Sequence, residues 1–114
     1  MKSLNRVELI GNTGNEPELS TLNNGSTLVR ISLATSDTFT DKQGEKKETT
    51  EWHTLIFWNK LAEVAAKYIK KGVRLYIDGR LNYSQYEKDG VTKYSTDIIV
   101  KNFIILDKKE DDIF

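Results

Sequence analysis

The residues best suited to chemistry are two tryptophans and a lysine. Trp52 and Trp58 lie in the stretch Thr50–Trp58. Its even positions Trp52, Thr54, Ile56 and Trp58 fall on one face of a strand, and His53, Leu55 and Phe57 on the other. Lys60 follows two residues after Trp58. Aromatic faces beside a cation suit non-covalent work, the stacking of flat rings next to a neutralised anion. That is what bases joined by phosphates require. Both faces are rich in large apolar groups, and alternation alone commits neither to the core. If one face is buried, the other needs a partner.

Covalent chemistry is not legible. There is no nucleophile–base signature, no phosphate-cradling glycine loop and no metal-spaced cluster, so neither an enzyme nor a metal or cofactor site is expected. Cys is absent, which excludes disulfides and thiolate ligands, and a lone histidine argues against zinc. His53 shares the face of Leu55 and Phe57, which reads as a buried or interface histidine ahead of a ligand or general base.

The 114 residues suit one domain with a modest core, and 38% hydrophobic with 30% charged residues reads as globular. No apolar run is long enough for a membrane span, and the N-terminus lacks the apolar stretch of a signal peptide. The expected location is the cytoplasm, with no membrane partner. Net charge is zero but unevenly spread. The last eight residues, DKKEDDIF, carry four acids against two lysines, a balance of −2. The other 106 carry 15 basic and 13 acidic residues, a balance of +2. This describes an acidic tail, residues 107–114, on a mildly basic domain, residues 1–106.

The elements that must position these residues follow from period and punctuation. Leu4–Ile10 alternates as a strand, broken from Gly11. Thr27–Thr35 is a second, with Val29, Ile31 and Leu33 opposite Arg30 and Ser32. The polar stretch Phe39–Glu48 reads as a loop. The third strand, Thr50–Trp58, runs directly into a helix with Leu61, Val64, Ala65, Tyr68 and Ile69 on one side. Asn59 suits its N-cap, Lys70 and Lys71 its negative end, and Gly72 its C′ position. Val73–Tyr83 and Tyr94–Leu106 are further strands, separated by the Asp89-Gly90 hairpin signal. The predicted fold is all-β with one helix: an OB-fold, a five-stranded Greek-key barrel with its helix between the third and fourth strands.

Several short motifs occur in register with that order: VELIGN at Val7–Asn12, Pro17-Glu18, Asn24-Gly25, LATS at Leu33–Ser36, TEWH at Thr50–His53, KLAEVA at Lys60–Ala65, Lys71-Gly72 and YIDGRL at Tyr76–Leu81. Together they closely resemble the bacterial single-stranded DNA-binding protein of the OB-fold type, across roughly the whole barrel. The terminal DDIF resembles that family's acidic-apolar tip.

The resemblance implies stacking of single-stranded DNA bases on Phe39, Trp52, Trp58 and Tyr86, with phosphate contacts from Arg6, Lys60, Lys70 and Lys71. Phe39 and Tyr86 stand where the family often has tryptophan. It implies a homotetramer, with the first strand (Leu4 and Val7) and His53 near the monomer interface. Replication and repair proteins would bind the tip, Asp111, Asp112, Ile113 and Phe114. The implied activity is sequence-tolerant protection of single strands in replication, repair and recombination at the bacterial nucleoid.

Bland alternatives stand beside these. Tyr86 would serve as a cross-strand partner of Tyr94, Phe39 as a cover over the barrel end, Lys70 and Lys71 as dipole complements, and the tip as a frayed end. The chain departs from the family at Asn82, Ser84 and Gln85, where relatives are often basic. Residues 107–110 alone stand where a long linker is usual, and no proline precedes Phe114. The rival functions are a primosome-like barrel with weak DNA affinity and an RNA-binding OB-fold module.

Overall fold

The computed structural model describes residues 2–106. The tail, including Asp111, Asp112, Ile113 and Phe114, lies outside the described residues. The elements are β1 (Val7–Thr13), β2 (Ser20–Thr21), β3 (Thr27–Thr40), β4 (Lys46–Trp58), α1 (Asn59–Tyr68), β5 (Arg74–Lys88) and β6 (Val91–Ile105).

Five strands close a barrel. β1 pairs with β5 along Val7–Asn12 and then with β3 at Asn12 and Thr13. β5 pairs with β6, β6 runs parallel to β4 at Thr54–Ile56, and β4 pairs with β3 to complete the circuit. The two-residue β2 hangs on β3 outside it. The predicted OB-fold with one helix is what the chain forms, and the helix follows the third of the five barrel strands.

The core takes the odd face of β4. Leu55 and Phe57 are fully buried, with Val29, Ile31 and Leu33 of β3 and Leu75 and Ile77 of β5. Phe57 meets Phe103 edge to face, ring centroids 5.5 Å apart. The helix adds Ala62 and Ala65 to this cluster, and Ile69 just past it joins them. Each large buried side chain contributes about 1.5–3 kcal/mol. That burial fixes the strand's rotation and sends Trp52 and Trp58 outward.

The structure corrects several boundaries. β1 begins three residues later than predicted and continues through Gly11, because pairing with β3 carries it on to Thr13. The expected loop Phe39–Glu48 is mostly hairpin. β3 and β4 pair from Leu28 with Trp58 out to Thr40 with Lys46. Only residues 41–45 turn, where Asp41 Oδ1 accepts the N–H groups of Gln43 and Glu45, both at 2.9 Å. β5 likewise runs on to Lys88. Beyond the barrel both faces of a ribbon meet water, so no apolar alternation marks these extensions. The β5–β6 turn is the predicted one: Asp89 and Gly90 have φ of 53° and 77°, as a type I′ turn demands.

The helix ends also differ. Asn59 is not the N-cap. It is the first helical residue, with φ 53°, and its Oδ1 accepts the N–H of Thr27 at 3.2 Å. Its side chain therefore stitches the strand–helix junction to β3. The helix stops at Tyr68, so Lys70 and Lys71 lie in the loop towards β5, and Lys67 is the basic residue of the last turn.

Candidate nucleic-acid interface

The outer surface of β3 and β4 carries both tryptophans, Trp52 62% exposed and Trp58 38%. Register places Trp52 opposite Ala34 and Trp58 opposite Leu28. Between them on β3 stand Arg30, opposite Ile56, and Ser32, opposite Thr54. An exposed guanidinium thus projects from the strip between the two indoles. Alternation alone marks Arg30 only as a polar residue opposite the Val29, Ile31 and Leu33 face. Only the β3–β4 register brings it to the platform.

Phe39 and Tyr86 occupy two separate arms. Phe39 is 47% exposed near the end of the β3–β4 ribbon, opposite Lys47. By alternation it continues the face of Val29, Ile31 and Leu33, opposite to the face of the tryptophans. The ribbon therefore bears aromatics on both sides. Tyr86 is 52% exposed on the β5–β6 arm, on the outward face, opposite Lys93. Lys88 lies on that same face. Tyr94 pairs with Gln85 and points to the other face, so the Tyr86–Tyr94 pairing is corrected. Lys88 and Lys93 beside Tyr86 supply an interleaving of cation and ring that only the β5–β6 register makes visible.

The four basic residues implied by resemblance differ in their surroundings. Lys60 is exposed in the first turn of α1, where helix N–H groups also favour anions. A lysine there works against the helix dipole, an arrangement that suits anion binding better than helix stability. Lys70 and Lys71 are exposed past the helix end, and the Lys71 N–H donates to Glu16 Oε1 at 3.2 Å. Arg6 is already engaged. Its Nε lies 3.2 Å from Asp78 Oδ1 and its guanidinium 3.6 Å from Glu8. Asp78, then Glu8, raise its pKa above the ordinary arginine value.

Leu4 is exposed ahead of β1, while Val7 is half-buried and packs against the core. His53 is half-buried and opposite Leu33, its Nε2 2.9 Å from Thr35 Oγ1. Register also aligns Ile10, Tyr76 and Ile104 across β1, β5 and β6 on the outer surface, Ile10 and Ile104 about half exposed. The Tyr76 hydroxyl donates to Glu8 at 2.7 Å, and that bond, with some desolvation, raises the phenol's pKa. Among the described residues no group of His, Cys, Asp or Glu is placed to hold a metal ion.

Residues 4–106 match the model of the Single-strand binding protein family. The Single-stranded DNA-binding protein of Xanthomonas campestris pv. campestris is 42% identical over 106 residues, which cover 92% of this chain. The chain spans 62% of that relative and 59% of a similar Xanthomonas axonopodis protein. Single-stranded DNA-binding protein 1 of Xylella fastidiosa is 41% identical over 113 residues, 97% of this chain and 83% of that one. Among solved structures, Plasmodium falciparum SSB in complex with ssDNA is similar with a TM-score of 0.84 at 34% identity, covering 94% of this chain and 98% of that one. Wild-type single-stranded DNA binding protein from Thermus aquaticus gives 0.77 at 31% identity, covering 91% of this chain and 50% of that one.

Proposed function

This chain belongs to the single-strand binding protein family, and we propose that it holds single-stranded DNA without catalysis, stacking bases on exposed aromatics and neutralising phosphates with nearby cations. One observation carries the reading. Trp52 and Trp58 stand outward on a strand whose intervening residues Leu55 and Phe57 are fully buried. A barrel with its core already filled has no packing use for two exposed indoles. Stacking is worth about 1–3 kcal/mol per base and tolerates any sequence.

The wider role proposed is protection of single strands in replication, repair and recombination at the bacterial nucleoid in the cytoplasm. The assembly proposed is a homotetramer. The Ile10–Tyr76–Ile104 row and exposed Leu4 support it, since they offer the outer barrel an apolar surface to cover. Replication and repair proteins would be recruited by Asp111, Asp112, Ile113 and Phe114. There a basic pocket would take the Asp111 and Asp112 carboxylates and an apolar pocket the Ile113 and Phe114 side chains.

The test is a tryptophan-fluorescence titration with oligo-dT, run with measurement of mass in solution. Saturable quenching by a tetramer is expected. Absence of quenching, or quenching only by RNA in direct competition, would overturn the DNA reading.

A further inference from the structure

A notch of about 460 Å³ opens beside the tryptophan platform, lined by Asn15, Glu16, Glu18, Ser20, Leu28 and Arg30. Its lining includes neighbours of both tryptophans. Leu28 is the cross-strand neighbour of Trp58, and Asn15 follows Gly14, which lies against the ring of Trp52. Its size falls within the roughly 300–1,000 Å³ of small-ligand sites.

The walls are held in place. Asn15 replaces a strand along the edge of β3: its Nδ2 donates to the carbonyl of Arg30 at 3.2 Å and its Oδ1 accepts the N–H of Ser32 at 2.8 Å. Glu16 is anchored by the Lys71 N–H. Arg30 and Glu18 line the same notch, yet neither makes an ion pair among the described residues. The notch therefore combines the guanidinium donors of Arg30 with the carboxylate acceptor of Glu18. The carboxylates repel a phosphate, so a strand on the platform would present a base to the notch and keep its backbone outside.

We propose that this notch is a base-edge subsite that takes an amine-bearing base (cytosine, adenine or guanine) in preference to thymine from the single strand held on the platform. The proposal rests on the DNA-binding reading and adds a sequence preference to it. Arginine donates to guanine O6 and N7, and glutamate accepts from the cytosine N4 amine. Cytosine pairs that amine with the acceptors N3 and O2, and guanine offers N1–H and the N2 amine beside O6. Thymine has one ring N–H between two carbonyls and no amine, so Glu18 gains least from it.

The test compares oligo-dC with oligo-dT by tryptophan quenching, on wild type, Glu18→Gln and Arg30→Gln, at low and high salt. The expected result is a fall of about five-fold in the dC-over-dT affinity ratio in Glu18→Gln, the low end for one base contact. Arg30→Gln should lower the affinity for both strands and leave the ratio near that of wild type. A ratio unchanged in Glu18→Gln, with quenching intact, overturns the subsite. So does equal tightening of both oligonucleotides in Glu18→Gln, confined to low salt, which would make Glu18 a repelling charge alone. Failure of either oligonucleotide to quench the wild type overturns the DNA-binding reading itself.

Discussion

Gly14 lies so close to the Trp52 indole that an added Cβ would stand 2.6 Å from its Cζ3. The Gly14 N–H donates to the Ser32 carbonyl at 2.8 Å, which holds the backbone against the ring. Gly14→Ala must therefore displace the indole. Oligo-dT affinity should fall by part of the roughly 1–3 kcal/mol of one stack, with thermal stability near wild type. Unchanged titration curves would show that the ring shifts without losing its stacking face.

Neighbouring residues of β4 should separate binding from stability. Trp52→Ala and Trp58→Ala are each expected to cost about 1–3 kcal/mol of oligo-dT affinity and little folding stability. Phe57→Ala, at a fully buried ring, is expected to cost about 3–5 kcal/mol of stability. Urea denaturation alongside fluorescence titration checks both. If the tryptophan variants bind as well as wild type while folded, the platform lies elsewhere.

Salt dependence should sort the basic residues by their partners. Each phosphate contact contributes about −0.7 to the log–log slope for a single strand. Lys60→Ala and Lys71→Ala should each flatten it by about that amount. Arg6→Ala should change it much less, because Asp78 and Glu8 already hold the guanidinium. An Arg6 variant that flattens the slope as much as the lysines would mean that DNA displaces the ion pair.

The Ile10–Tyr76–Ile104 row predicts the outcome of a charge placed on it. Ile104→Asp should shift the mass in light scattering towards dimers or monomers, with the barrel intact by circular dichroism. Introducing Glu at His53 should act in the same direction. A mass unchanged by Ile104→Asp would exclude this face from the assembly.

Tyr76 gives a pH-dependent check of its contact with Glu8. Its hydrogen bond favours the neutral phenol and raises the folded pKa. The resulting stability is fully present below the unfolded tyrosine value, about 10, and is lost as pH rises through the higher folded value. Glu8→Gln should bring the phenol's titration, followed by near-ultraviolet difference spectroscopy, down towards the ordinary value. A curve identical to wild type would show that the contact is absent in solution.

Elements whose signals are local are legible in the residues alone. Alternation marked the barrel strands, the Asp89-Gly90 pair marked a turn requiring two positive φ angles, and a change of period marked the start of the helix. These depend on neighbours a few residues away, so one chain suffices to read them. The ribbon extensions at 36–40, 46–49, 84–88 and 91–93 were not legible as strands, because both their faces meet water and nothing selects an apolar pattern. Tertiary structure alone decided which face of Thr50–Trp58 is buried, since Leu55 and Phe57 are as apolar as the tryptophans and only closure of the barrel distinguishes inside from outside. It also decided what long-range register controls: Arg30 between the two indoles, Phe39 on the opposite face of the same ribbon, and Arg6 against Asp78, 72 residues away. No local pattern reports such separations, because the pairing free energy that sets them is gained only when the strands meet.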